Sequence, residues 1–246
     1  MSTEMNLVSN FASDHCRQIA GCKSIRRLIG STFVSLVSAA LLNVAAIYVA
    51  AIYVASINAP LFAGQFNPTR NIGDQVTGWT NLPGADDKLH SLSDLKAFDV
   101  VVVVFTCNSC PYAVDYEDRI NSLAKKFVDS KVSAAVVAIN SNKIEADLLP
   151  AMKKRSTEKG FQFAYLFDES QEVCKQFGAV RTPEFLVLDK DRRIAYMGAF
   201  DDNTKAELVK QKYLEDAVSA LLASKPVAIQ ETAPVGCLIR LDRKRK

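Results

Sequence analysis

Hydrophobic and polar positions divide the chain into unlike stretches. Residues 1–27 are polar, with Arg17, Lys23, Arg26 and Arg27 near their end, and Leu28 to Thr69 carries no charged residue. Within that run, Phe33 to Ile57 reads FVSLVSAALLNVAAIYVAAIYVASI, almost without a polar face. A helix needs ~20 residues to cross the hydrocarbon layer, and a buried helix of a soluble domain keeps a polar stripe. The pattern therefore predicts one transmembrane helix within 28–57. A cleaved signal segment is the competing reading, but its apolar region is ordinarily ~7–15 residues, and Leu61-Phe62-Ala63 before Gly64 is a poor cleavage site. The basic residues precede the apolar run, so residues 1–27 are expected in the cytoplasm and the rest of the chain in an oxidising compartment. This describes a single-pass inner-membrane protein with a periplasmic domain. The direct repeat VAAIY-VAAIY over Val44 to Tyr53 keeps no helical face and reads as duplication of a tolerant apolar stretch. Residues 58–75, with Pro60, Gly64, Pro68 and Gly73, predict a linker.

From residue 76 the pattern alternates between strands and helices. Val100 to Phe105 is an unbroken apolar run after Asp99, which predicts a strand buried on both faces. Pro111 to Val128 places Tyr116, Ile120, Leu123, Ala124 and Phe127 at helical spacing, with Asp115, Glu117, Asp118 and Lys125 between them, on a face expected to be solvated. Val132 to Ile139 predicts a strand, Ile144 to Lys159 a helix ended by Gly160, Phe161 to Phe167 a strand, and Ser170 to Phe177 a helix ended by Gly178. Glu184 to Leu188 and Ile194 to Met197 predict a hairpin, and Ala206 to Ala223 a last helix. The order predicts an α/β domain over 76–224, a mixed central sheet flanked by helices, followed by a tail at 225–246.

Composition narrows the function classes. Apolar residues make up 49% and charged residues 23%, which supports a real core and excludes a largely disordered chain. Net charge is +3, from 30 basic and 27 acidic residues, so nothing in the whole-chain electrostatics argues for nucleic acid. Six cysteines are too few for a disulfide-built scaffold, and two histidines exclude a His-rich metal site.

The chemistry concentrates in Cys107-Asn108-Ser109-Cys110-Pro111, a Cys-x-x-Cys between a buried strand and a helix. A helix N-terminus offers free N–H groups and partial positive charge. Cys107, ahead of the helix, is expected to carry a lowered thiol pKa and to act as nucleophile, with Cys110 deeper as the resolving thiol. The pair can cycle between dithiol and disulfide through a mixed disulfide. A zinc site would need two further ligands, and neither a second CxxC nor a CxxH is present. Pro111 in place of histidine excludes the haem-attachment motif. A plain structural disulfide across a two-residue loop would gain little. No cofactor and no metal are expected.

Residues 76–224 resemble the thioredoxin superfamily, specifically the extracytoplasmic redoxin-domain proteins of the TlpA and peroxiredoxin-like group. The likeness rests on the VVVVVFT-CNSC-P run, on Arg181-Thr182-Pro183-Glu184-Phe185 before a strand, and on the hairpin from Leu188 to Ile194. It implies a thioredoxin-like fold, a cis Pro183 beside the two cysteines, and a Thr182 that offers backbone hydrogen bonds to a substrate strand. The sequence departs from the pattern at Thr106, where tryptophan is usual, at Val101, where thioredoxin keeps a buried acid, and at Val104, where peroxiredoxins need threonine. The expected activity is membrane-anchored thiol–disulfide exchange, with thiol or disulfide proteins as substrates and a thiol electron donor or acceptor. Thiol peroxidase activity with Cys107 attacking peroxide is one alternative. Copper handling by Cys107 and Cys110, with Cys237 as a further ligand, is another.

Of the other cysteines, Cys16 and Cys22 precede the anchor and are expected as reduced thiols, and Cys174 as a buried core thiol. Cys237 lies in Pro234-Val-Gly-Cys-Leu-Ile239, a Gly-Cys-hydrophobic segment with which members of this redoxin group often end. It is a candidate third redox cysteine, against the alternative of a tail that merely packs on the domain. The basic end, Arg240 to Lys246, reads as a solvated terminus.

Overall fold

The computed structural model describes residues 64–242. The transmembrane helix expected at 28–57, the tail at 1–27 with Cys16 and Cys22, and residues 243–246 lie outside the described residues. Among the described residues no helix is long and apolar enough to cross a membrane.

The domain is built around β3 (Val100–Phe105), whose six residues are all buried. It pairs in parallel with β4 (Ala134–Asn140), which pairs in parallel with β5 (Ala164–Phe167). On its other side it pairs antiparallel with β7 (Glu184–Leu188), which forms a hairpin with β8 (Ile194–Gly198). The sheet order is β5-β4-β3-β7-β8. Successive side chains of a strand point to opposite faces. Val100, Val102 and Val104 therefore meet Tyr116, Ile120 and Phe127 of α1 (Pro111–Asp129) and Leu214 and Val218 of α4 (Tyr213–Leu222). Val101, Val103 and Phe105 meet Trp79, Leu92, and Val173, Cys174 and Phe177 of α3 (Glu172–Phe177). Burial on both faces is why this strand tolerates no polar alternation. α2 (Leu149–Lys159) contributes Met152 to the α1 face. The result is the thioredoxin-like α/β architecture expected from the sequence, a mixed sheet between helical layers.

Several elements differ from the expectation, each for a local reason. The helix expected over 144–159 is a 3-10 turn at Glu145–Asp147 followed by α2, because Leu148 is extended and Pro150 fits only the first helical turn. The helix expected over 206–223 is likewise a 3-10 turn at Ala206–Leu208 and then α4. Between them the loop bonds to Asp202, whose carboxylate accepts from Lys210 N at 2.9 Å and whose N–H donates to Gln211 O. β5 begins only at Ala164, and Phe161 and Phe163 before it stack with ring centroids 4.6 Å apart. Glu117, expected on a solvated face, is buried, and Arg155 grips both its oxygens at 2.8 Å; Asp115 is exposed. A short hairpin of β1 (Leu82–Pro83) and β2 (Leu89–His90) was not legible in the pattern.

Residues 64–75, within the expected linker, are fastened to the domain. Gln65 and Phe66 donate their N–H groups to Glu231, and the buried Asn67 donates to Phe177 O at 2.9 Å. Gly178, in the left-handed conformation that ends α3, leaves room for Asn67: a Cβ there would lie 2.1 Å from its Oδ1. The tail after α4 is fastened too. Gln230 and Thr232 exchange backbone hydrogen bonds with Met197, covering the outer edge of β8. The tail then ends in β9 (Cys237–Leu238), which pairs antiparallel with β6 (Arg181–Thr182).

Candidate active site

Strand β3 delivers the chain to the Cys-x-x-Cys loop, and Thr106 N extends the ladder by donating to Ile139 O at 2.9 Å. Cys110 is the N-cap of α1 and Pro111 its first residue, where proline's missing N–H costs nothing. Between the cysteines the loop is held from below. Asp147, fully buried, accepts from Ser109 N at 2.9 Å and from Ser109 Oγ at 2.7 Å. Asn108 donates to Ala146 O and accepts from the Tyr165 hydroxyl at 3.1 Å. Asn140, at the end of β4, donates to Asp147 O, so the turn that carries the carboxylate is itself fixed.

Opposite the loop stands β6. The Thr182–Pro183 peptide bond is cis, as the resemblance implied. Thr182 touches both cysteines: its Oγ1 lies 3.5 Å from Cys107 Sγ, and its carbonyl accepts from the Cys110 thiol at 2.9 Å. Buried Glu184 holds this corner by accepting from Val180 N and Arg181 N at 2.8 and 3.0 Å. Burial pushes its carboxyl pKa up, and these bonds offset that only in part.

The third thiol arrives on the tail. In the β6–β9 register Cys237 faces Thr182, and it packs against Cys107, Cys110 and Ala113. All four described cysteines, these three and Cys174, are free thiols. Thus the structure gathers Cys107, Cys110, Thr182, Pro183 and Cys237 in one place.

The thiol energetics invert the sequence-based expectation. Burial pushes the Cys107 thiol up, the negative charge of Asp147 adds to this, and the Thr182 and Ser109 hydroxyls offset it only in part. Cys107 is only 3% exposed. Cys110 is also buried, but hydrogen bonds from the Cys237 thiol, the Thr182 side chain, the Cys237 backbone and the Ala113 N–H outweigh that cost and bring its pKa below the ordinary cysteine value. The hydrogen bond to Cys110, then burial, raise Cys237 to about 11. As held here, Cys110 at the helix N-terminus is the sulfur best disposed to carry the negative charge. Cys174, buried on α3, donates to Ala179 O at 3.2 Å and is pushed up to about 12, first by burial and then by Asp168. It is the core thiol the sequence suggested.

Sequence reasoning missed Asp147, Asn140 and Glu184. The acid absent at Val101 has no counterpart on β3, but Asp147 reaches the loop from a turn that reads as helix by composition. Among the described residues no group of three or more His, Cys, Asp or Glu side chains is placed to hold a metal ion.

The sequence profile of the AhpC/TSA family matches residues 72–197. No protein with a curated description matches the chain. Among solved structures, the chain is similar to a hypothetical protein from Sinorhizobium meliloti, with 31% identity, 70% of this chain and 96% of that one covered, and a TM-score of 0.65. An uncharacterized conserved protein from Geobacillus kaustophilus is similar at 31% identity, 71% and 94% coverage, and a TM-score of 0.66. A candidate thiol:disulfide interchange protein, DsbE, from Chlorobium tepidum shares the fold at 21% identity, 62% and 98% coverage, and a TM-score of 0.51. The redoxin motifs, the fold and the profile agree, and the chain belongs to the AhpC/TSA family.

Proposed function

We propose that this redox protein is a thiol–disulfide oxidoreductase in which Cys107 and Cys110 cycle between dithiol and disulfide. The observation that carries this reading is the placement of both sulfurs at the β3–α1 junction, each against Thr182 of the cis-proline corner. In the forward step a Cys107 thiolate attacks one sulfur of a substrate disulfide, and the substrate's other sulfur leaves with a proton. Cys110 then attacks Cys107, releasing the second substrate thiol and closing the Cys107–Cys110 disulfide. Burial is the foremost cause of the raised Cys107 pKa, so letting water reach Cys107 is part of its activation. Thr182 and Pro183 form the wall against which a substrate strand would lie.

The proposal extends to place and partners. The charge-free run from Leu28 to Thr69, preceded by Arg26 and Arg27, supports a membrane anchor with the redox domain on the extracytoplasmic side. Substrates are then disulfide or thiol proteins of that compartment, and electrons pass to or from another thiol protein. A reporter enzyme active only outside the cytoplasm, fused after residue 246, tests the topology.

The reduction potential of the Cys107–Cys110 pair, set in glutathione or dithiothreitol buffers and read by thiol trapping, tests the chemistry. A reversible couple below about −220 mV identifies a reductant, and one near about −120 mV an oxidant. Absence of a reversible couple overturns the reading. Thiol peroxidase activity is a second reading, favoured by membership of the AhpC/TSA family and opposed by Val104 where peroxiredoxins carry threonine. Stoichiometric oxidation of Cys107 by low peroxide, faster than disulfide exchange, would establish it.

A further inference from the structure

Strand β9 lies where a substrate strand is expected. It pairs antiparallel with β6 beside the cis proline, and the residue facing Thr182 is Cys237. Its side chains alternate: Cys237 turns toward the cysteine pair, Leu238 is 65% exposed, and Ile239 is buried. The approach is close enough to require glycine before the cysteine. A Cβ at Gly236 would lie 2.0 Å from Thr182 O and 2.6 Å from its carbonyl carbon, both backbone atoms with little room to move.

Polar fastenings set the same register. Arg181 donates to Gly236 O at 2.7 Å, and Ile239 N donates to Val180 O at 2.9 Å. Arg240 N donates to Asn142 Oδ1 at 2.8 Å, and Asn142 Nδ2 donates to Asp147, the carboxylate that holds Ser109. One buried acid therefore braces both the Cys-x-x-Cys loop and the strand that carries the third thiol. The alternation turns both the Cys237 thiol and Ile239 inward and leaves Leu238 in water, so the thiol is carried on the face that seats the strand.

We infer that Cys237 is a third redox cysteine, seated by the tail in the substrate-strand position, and that it exchanges with the oxidised pair to form a Cys110–Cys237 disulfide. This rests on the redox reading of Cys107 and Cys110. Cys237 gives its proton to solvent, and its thiolate attacks Sγ of Cys110. The Cys110–Cys237 bond forms as the Cys107–Cys110 bond breaks, and Cys107 leaves as a thiolate that takes up a proton. One disulfide is consumed and one is made, so no outside oxidant or reductant enters. Cys107 is returned as a thiol, and the disulfide has moved outward to Cys237, the most accessible of the three sulfurs. A dithiol electron-donor protein attacking Cys237, the accessible sulfur of the pair, would expel Cys110. The donor's second thiol then releases Cys237. Substrate and donor thus engage different sulfurs of one relay.

The test uses the full chain, oxidised with oxidised glutathione, blocked with N-ethylmaleimide and mapped by mass spectrometry. Cys107→Ser is expected to yield a Cys110–Cys237 linked peptide. Cys237→Ser is expected to lose that peptide and keep Cys107–Cys110. If Cys110 and Cys237 both remain free in Cys107→Ser, under conditions where the unaltered protein forms Cys107–Cys110, the inference is overturned while the oxidoreductase reading stands. If neither the unaltered protein nor Cys237→Ser forms any Cys107–Cys110 disulfide, the oxidoreductase reading itself is overturned. Gly236→Val provides a measure independent of the folding of Cys107→Ser, because it unseats β9 without removing any of the three thiols from the chain. It is expected to abolish the Cys110–Cys237 peptide and keep the Cys107–Cys110 one; an unchanged yield of both overturns the inference.

Discussion

Strands β3 and β9 both end at the same sulfurs, and they are held by different physics. β3 presents six buried residues, paired on both edges and packed on both faces. β9 is two residues long, pairs on one edge and depends on a hydrogen bond from Arg181 to Gly236 O and on those that Ile239 N and Arg240 N donate to Val180 O and Asn142 Oδ1. Removing β3 from its place means unfolding the domain. Removing β9 means breaking a few hydrogen bonds whose net worth is ~1 kcal/mol each. One side of the site is therefore as rigid as the core, and the other is a local opening unit that can come away while the sheet stays folded.

The comparison breaks most visibly under a core truncation. Phe105→Ala removes a ring that is 1% exposed and packs on Phe177 at 5.6 Å between centroids. The expected cost is about 3–5 kcal/mol in chemical denaturation. If the loss is below about 1 kcal/mol, β3 does not anchor the site as described.

Gly236→Val attacks the other strand. Its denaturation midpoint should stay close to that of the unaltered protein, while alkylation of Cys107 by N-ethylmaleimide speeds up. The sign follows from the cause: burial raises the Cys107 pKa, so opening lowers it and increases the thiolate fraction at neutral pH. A variant that unfolds globally, or whose Cys107 reacts no faster, would erase the distinction between the two strands.

Asp147→Asn sharpens the comparison at the brace the two regions share. Its negative charge disfavours the Cys107 thiolate, so its removal should shift the pH profile of Cys107 alkylation toward lower pH. A profile that stays put or moves upward would show that the hydrogen bonds to Ser109 matter more than the charge. Asn142→Ala should have the smallest effect. It removes the acceptor for Arg240 N and is expected to lower the opening free energy of residues 236–242 by ~1 kcal/mol in amide exchange, without changing exchange in β3. Throughout, Cys174 should resist alkylation in the folded protein, its thiol being pushed up to about 12.

What could be read beforehand follows the same division. Val100 to Phe105, Pro111 and the Cys-x-x-Cys signal themselves by composition and adjacency, since burial on both faces leaves an apolar run and a helix start accepts proline. Thr182 and Pro183 were legible through resemblance. Asp147 was not, because a single acid in a helix-like stretch carries no signal of the turn that aims it at Ser109. Glu117 was misjudged because its partner, Arg155, is 38 residues away in sequence. The seat of Cys237 was hidden for a related reason: a two-residue strand made by backbone pairing has no periodicity to read, and the residue was singled out only through the resemblance of its Gly-Cys-hydrophobic segment.

The tethering of β9 has a consequence for selectivity. A strand tethered to the domain by the few residues after Thr232 competes for its own groove at an effective concentration on the order of millimolar. A passing disulfide that meets only the β6 edge must outbid an occupant that never diffuses away. On the proposed oxidoreductase reading, productive partners must bring additional recognition elsewhere on the domain, and the tail acts as an affinity threshold that shields Cys107 from casual oxidants.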